Sequence, residues 1–208
     1  MFKLDSKKPV LTVSEKVYAI LPLSPPATNW STIDWYWKKI CGIPFLMRNI
    51  INIQRAGIDS LIIYGNTDNT SLYRRLCKEK KITIKLTFET DVEKVIKVTK
   101  DYPVLILNSE ALHTKQEIES GMSFTNQSNE ALAYPIDRET VAKTINQITL
   151  GNKVSPAQSS GDQNSCVNFL PGKNSSYISK PEDFLIQQKN LIQNSGLGND
   201  SFMDKTIT

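Results

Sequence analysis

The sequence is poor in the residues that hold metals and has no stretch that could cross a membrane. It contains one histidine, His113, and three cysteines, Cys41, Cys77 and Cys166, set far apart with no CxxC pair. A zinc or iron–sulfur centre needs several such ligands at close spacing and is not expected here. No apolar run approaches the roughly 20 residues of a bilayer-spanning helix. The opening MFKLDSKKPV is not followed by the apolar core of a secretory leader. With so few cysteines, this leads to the expectation of a reducing, cytoplasmic setting. Charge of one sign is also scarce. Twenty-five Lys and Arg face 21 Asp and Glu, a formal +4, and along the chain the positive residues are dispersed rather than gathered in one block. Charge therefore gives no reason to expect nucleic acid as a partner. What is present suffices for a core: 208 residues, 39% hydrophobic and 22% charged, with a mean hydropathy of −0.31. That is the composition of a globular protein with one domain and some excess, or two small ones.

Up to about residue 150, two kinds of apolar pattern alternate. Lys16 to Leu23 (KVYAILPL) is a short, nearly continuous apolar run, as in a strand covered on both faces. Pro44 to Ala56 sets Leu46, Ile50 and Ile53 on one helical stripe, with Pro44 to start it and Gly57 to stop it. The patterns predict a strand over Ser60 to Tyr64, a helix over Thr70 to Lys80, a strand over Ile82 to Leu86, a helix over Thr90 to Thr99 and a buried strand over Val104 to Leu107. Alternation of this kind predicts an α/β domain, a Rossmann-like three-layer αβα arrangement with a mostly parallel sheet, over residues 1–150. Residues 151–176, rich in Asn, Ser, Gly and Gln, read as a polar loop excursion. Residues 177–208 read as a helix, Pro181 to Gln193, and a linker that pack on the same domain.

The stretch Gly42-Ile43-Pro44-Phe45-Leu46, the helix end Gln54-Arg55-Ala56-Gly57-Ile58 and the strand Leu61-Ile62-Ile63-Tyr64 resemble a nucleotidyltransferase domain of the MobA-like or sugar-phosphate type. The resemblance covers about residues 16 to 112 and continues more loosely into the tail. It implies transfer of a nucleotide from a nucleoside triphosphate such as CTP to a polyol or sugar phosphate, with Mg2+ held by carboxylates. It places a phosphate-contacting lysine at Lys39 or Lys38. Asn108-Ser109-Glu110 stands where the family carries a metal-binding turn, so Glu110 becomes the candidate metal and catalytic carboxylate, with Asn108 beside it at the nucleotide. The stretch Ile178-Ser179-Lys180-Pro181-Glu182-Asp183 is similar to the family's "IDTPEDL" segment, which in two-part proteins precedes a membrane CDP-alcohol phosphatidyltransferase domain. The resemblance thus also implies a membrane-domain partner beyond the tail; pairing with a second copy as a homodimer is a separate expectation.

The same comparison exposes losses. Where the family has a glycine-rich loop with an arginine, this chain has Leu23-Ser24-Pro25-Pro26-Ala27-Thr28-Asn29-Trp30, in which two prolines supply no N–H. Ser179 replaces the second metal aspartate. A degenerate nucleotidyltransferase-like domain, serving as a binding or regulatory head, is therefore expected ahead of an active cytidylyltransferase. A Rossmann-like binder of another small ligand ranks third, since no GxGxxG follows a strand.

Other residues have plainer readings. His113 is expected to be structural rather than catalytic. Trp30, Trp35, Tyr36 and Trp37 are expected to pack the altered loop over the sheet, or to mark an interface, rather than to stack on a base. Asp34 has no fixed direction. Arg74, Arg75, Lys78, Lys80 and Lys81 form a basic run that reads as a solvated helix face, or one that meets anionic headgroups.

Overall fold

Strand β1 (Tyr18–Pro22) lies at the centre of the sheet, with Ala19, Ile20 and Leu21 wholly shielded from solvent. A strand buried on both faces has no polar side to show, which is why this segment reads as an unbroken apolar run. The computed structural model describes residues 16–26, 28–100, 102–127, 138–150, 167–170 and 176–195. In chain order, β1 is followed by α1 (Thr32–Trp37), a two-stranded hairpin of β2 (Lys39–Ile40) and β3 (Ile43–Pro44), and α2 (Phe45–Arg55). Then come β4 (Ser60–Tyr64), α3 (Thr70–Leu76), β5 (Lys85–Glu89), α4 (Val92–Thr99) and β6 (Val104–Leu107). The remainder is α5 (Lys115–Gln127), α6 (Arg138–Thr149), β7 (Val167–Leu170) and α7 (Pro181–Ser195).

The main sheet has the order β5-β4-β1-β6-β7 and every neighbouring pair is parallel. Ala19, Leu21, Leu61, Ile63, Leu105 and Leu107 point to the face packed by residues of α1, α2, α3, α5 and α7. Ile20, Ile62, Val104 and Ile106 point to the other face, covered by Val95 and Ile96 of α4 and by Val141, Ile145 and Ile148 of α6. This is the expected three-layer, Rossmann-like αβα architecture. The chain builds outward from β1 to β4 and β5, then returns to β6 on the opposite side. That change of direction puts a crevice beyond the carboxyl ends of β1 and β6, where parallel α/β sheets bind ligands.

Local chemistry explains the element boundaries. Cys41 and Gly42, with φ of +46° and +78°, form the two-residue turn that pairs Lys39 with Pro44 and Ile40 with Ile43. Both central residues in the left-handed region suit the twist of a tight hairpin. Gly57, φ +89°, ends α2 as the sequence pattern predicts. The fifth element departs from expectation: β5 is Lys85–Glu89 rather than Ile82 to Leu86. The Gln54 side-chain oxygen accepts the backbone N–H groups of Thr83 and Ile84 at 2.8 and 3.2 Å, so these residues are held by α2 before the ladder begins. Helix α3 ends at Leu76, short of Lys80. A strand, β7, also lies within 151–176, a span read as loop alone. Its partner register, Val104 with Val167 through Leu107 with Leu170, extends the sheet by one strand. Cys166, most of the polar excursion and residues 196–208 lie outside the described residues. Among the described residues, no helix is long and apolar enough to cross a membrane.

Helix α7 closes onto the sheet through Phe184, which is 3% exposed and meets Trp30, Trp35 and Phe45 at ring-centroid distances of 6.4, 5.0 and 5.9 Å. Phe184→Ala should therefore cost about 3–5 kcal/mol of stability, by lost transfer energy and a cavity. A urea-unfolding midpoint unchanged in that variant would mean that α7 does not share the core.

Candidate functional site

The ladder between β1 and β6 runs from Tyr18–Val104 to Ile20–Ile106 and stops, whereas β1 stays paired with β4 through Pro22–Tyr64. Beyond Ile20 the two central strands separate, and the gap between Ser24 and Ser109 is where a ligand would enter. Tyr36 from α1 fills it. This side chain is completely buried, with its ring stacked on Phe45 at 6.0 Å.

The hydroxyl of Tyr36 donates to the Ser24 carbonyl at 3.0 Å. Its single proton is then used, so the 2.8 Å bond to Ser109 has the Ser109 hydroxyl as donor. Ser109 Oγ in turn accepts the Ser24 backbone N–H at 3.3 Å. The result is a closed ring: Ser24 N–H to Ser109, Ser109 to Tyr36, Tyr36 to Ser24 carbonyl. Each buried polar group in it has a partner, as the interior demands. Burial pushes the Tyr36 phenol up to about 12, with the Glu110 charge adding to the effect and the serine hydrogen bonds opposing it, so it stays neutral.

Glu110 lies at the mouth of this arrangement, half-buried, where its Oε1 accepts the Ser24 hydroxyl at 3.1 Å. A carboxylate against a serine hydroxyl is the geometry of a base beside a nucleophile. Ser24 is only 2% exposed, however, so a substrate has no access to its oxygen. Asn108 is spent on the turn: its Oδ1 accepts the Glu110 N–H at 2.9 Å, and its amide reaches the Tyr177 hydroxyl at 3.4 Å.

The loop behind Glu110 is fixed from two sides. Buried Asn49 of α2 donates to the Ala111 carbonyl at 2.8 Å and accepts the His113 N–H at 3.0 Å, while Asn52 donates to the His113 carbonyl at 2.7 Å. On the other side, residues 176–178 pair antiparallel to it, with the Leu112 N–H on Ser176 and the Ile178 N–H on Glu110 at 2.9 and 2.8 Å. His113 is structural, as the sequence suggests. Its Nε2 lies 2.8 Å from the Asn108 carbonyl and so must carry the proton, which leaves buried Nδ1 bare and without a partner. Burial holds its pKa below the ordinary 6.5, against the opposing pull of the Asn108 carbonyl and Glu117.

The other predicted site residues lie in different settings. Lys38 is exposed, with its ammonium 5.2 Å above the ring of Trp30. Lys39 is exposed on β2, outside the main sheet. Ser31 caps α1 by accepting the Asp34 N–H at 3.1 Å, and the Asp34 carboxylate in turn accepts the Ser31 hydroxyl at 2.7 Å. Asp183 accepts the N–H groups of Ser179 and Lys180 and the Ser179 hydroxyl at 2.9–3.1 Å, which anchors the start of α7. Partial burial works to raise the Asp183 pKa, but these donors outweigh it and hold the carboxyl below its usual range. Neither aspartate is thus free to join Glu110, and among the described residues no three His, Cys, Asp or Glu side chains gather as a metal site. Sequence reasoning missed Ser24, Ser109 and the role of Tyr36. The available signal was a serine just beyond each of the two central strands and a tyrosine among tryptophans.

Two measurements test this geometry. Tyr36→Phe strands the Ser109 and Ser24 partners in the interior and should cost about 1–3 kcal/mol in a urea titration. A loss within error of zero would contradict the ring. As pH falls, the unfolded chain protonates His113 before the folded chain does. Stability should therefore be complete above about pH 6.5 and decline below it, down to the folded value, by up to about 1.4 kcal/mol per pH unit. His113→Gln should flatten the fall in Tm between pH 7 and 5.5, and an equally steep fall would assign the pH dependence elsewhere.

In comparisons with known proteins, the chain matches no family model and no curated protein.

Proposed function

We propose that this chain is a nucleotidyltransferase-like domain that has given up nucleotidyl transfer and serves as a binding or regulatory head, either for a membrane-domain partner or for a second copy of itself. The observation that carries the reading is Tyr36, whose buried ring and closed hydrogen-bond circuit fill the crevice where a triphosphate would lie. Triphosphate transfer needs N–H donors and cations aimed at the phosphates. Here the loop after β1 offers Pro25 and Pro26, and the Ser24 N–H is taken up by Ser109.

The surrounding charge supports the same reading. Four of the helices that begin at the crevice end, α1, α4, α5 and α7, carry acids in their first turns, namely Asp34, Glu93, Glu117, Glu182 and Asp183, whereas α2 and α3 carry none. At those four ends the acids complement the helix dipoles and reduce the positive potential that would otherwise attract an anion. The retained Gly42-Ile43-Pro44 turn and the Ala56-Gly57-Ile58 helix end hold α2 in place, and α2 in turn holds the loop of Glu110 through Asn49. On this account, the family's scaffold features persist because they support the sheet.

The alternative is an active, magnesium-dependent cytidylyltransferase that joins CTP to a polyol or sugar phosphate. One observation favours it: Glu110 stands at the carboxyl end of β6 with one oxygen against Ser24 and remains half-exposed. A single assay separates the two. Incubated with magnesium, each nucleoside triphosphate and a panel of polyol and sugar phosphates, the chain should release no pyrophosphate above a blank. Release that depends on magnesium and disappears in Glu110→Ala would establish the enzyme instead.

A further inference from the structure

Basic residues occur along the whole chain, but their excess over acids is concentrated in one segment and at one edge of the fold. Arg74 to Lys81 holds five basic residues and one acidic one, so outside it twenty basic and twenty acidic residues balance, and the whole formal excess of +4 lies in this segment. The fold adds to it. Helices α2, α3 and α4 each lead into a parallel strand, so their carboxyl ends collect at the amino-terminal edge of the sheet, opposite the crevice. Exposed Arg55, Lys78, Lys80, Lys81 and Lys100 lie at that edge with part-exposed Lys16, against Asp59 and Glu79 as the acids among the described residues there.

These groups sit on one bound surface rather than on separate loops. Gln54 ties the end of α2 to the 81–84 turn, and the Lys85 N–H bonds the Asp59 carbonyl at 3.0 Å. The Tyr18 N–H bonds the Pro103 carbonyl, also at 3.0 Å. The Lys16 ammonium stands 4.8 and 5.6 Å over the rings of Tyr18 and Tyr102. Tyr102 and Val98 remain exposed by 37% and 42%, which sets apolar edges among the cations.

We propose that this basic end is a docking surface for an anionic lipid bilayer. Basic residues near an anionic leaflet each add attraction that salt screens, and tyrosine favours the headgroup level, where an apolar body and a polar tip are both satisfied. A nucleic acid fits less well. The tyrosine faces are already covered by each other and by Lys16, and the cations stand on several turns rather than on one helix or ribbon shaped for a groove. With these cations gathered at the amino-terminal edge, the molecule would settle in one orientation, with its crevice end turned away from the lipid. The inference rests on charge placement and is independent of what the crevice binds.

Vesicle co-sedimentation of the 208-residue chain tests it. Binding is expected to vesicles of phosphatidylcholine with one anionic lipid, phosphatidylglycerol, and not to phosphatidylcholine alone, and it should vanish at high salt. The variant Lys80→Glu/Lys81→Glu should weaken binding at least about tenfold. Lys94→Glu/Lys115→Glu, with the same net charge but changed elsewhere, should retain most of it, and circular dichroism confirms that both variants fold. Equal loss in the two variants, or no binding to the anionic vesicles, overturns the proposal. So does duplex DNA or RNA that binds through Lys80 and Lys81 more tightly than the vesicles do.

Discussion

The hydroxyl of Tyr36 is the joint on which the carboxyl edge of the sheet depends. Two parallel strands that part company leave backbone groups facing a gap, and an unpaired group there costs as much as a lost hydrogen bond or more. In many α/β proteins a ligand or ordered water fills such a gap. Here a side chain does so, accepting from Ser109 and donating to Ser24, so that both central strands are satisfied by the protein itself. The aromatic group around it follows from the same need. Trp35 and Phe45 stay in the core, Phe184 of α7 packs against both, and Trp30 covers the outside.

From that joint, polar contacts spread outward in an order that explains the rest of the site. Glu110 is aimed by Ser24 and by the Asn108 turn, and the segment after it is clamped between Asn49 and Asn52 on one side and residues 176–178 on the other. His113 sits in the clamp as a neutral, buried spacer. A half-exposed carboxylate on a rigid mount is well placed to bind something. A buried serine behind it is poorly placed to react.

Much of this was legible beforehand because burial on both faces leaves an unmistakable trace. Ser60–Tyr64 and Val104–Leu107 appear at their expected bounds, and α2 lies within one residue of its own. The α/β class follows from them. Two strands were harder for separate reasons. The start of β5 is decided by Gln54, twenty-nine residues from Thr83, a contact that alternation in 82–86 cannot reveal. The four residues of β7 are too few to stand out in a polar stretch, and only pairing with β6 makes them a strand. The site was less legible still. Asp34 and Asp183 are carboxylates that could serve chemistry in the sequence, but in the structure each accepts from residues at the start of its own helix, Asp34 from the Ser31 hydroxyl and Asp183 from the N–H groups of Ser179 and Lys180. Charge shows the same limit: the sequence reveals the basic run from Arg74 to Lys81, but only the parallel arrangement of helices brings Lys16, Arg55 and Lys100 to the same edge.

On the proposed reading, the protein's own tyrosine occupies the crevice that a nucleotide would need. Backbone amide resonances titrated with magnesium and CTP test it most directly. The account predicts that those of Leu23, Ser24, Ser109 and Glu110 stay where they are at millimolar nucleotide. Saturable shifts confined to these residues would contradict it, because they would mean that Tyr36 yields the crevice to a ligand.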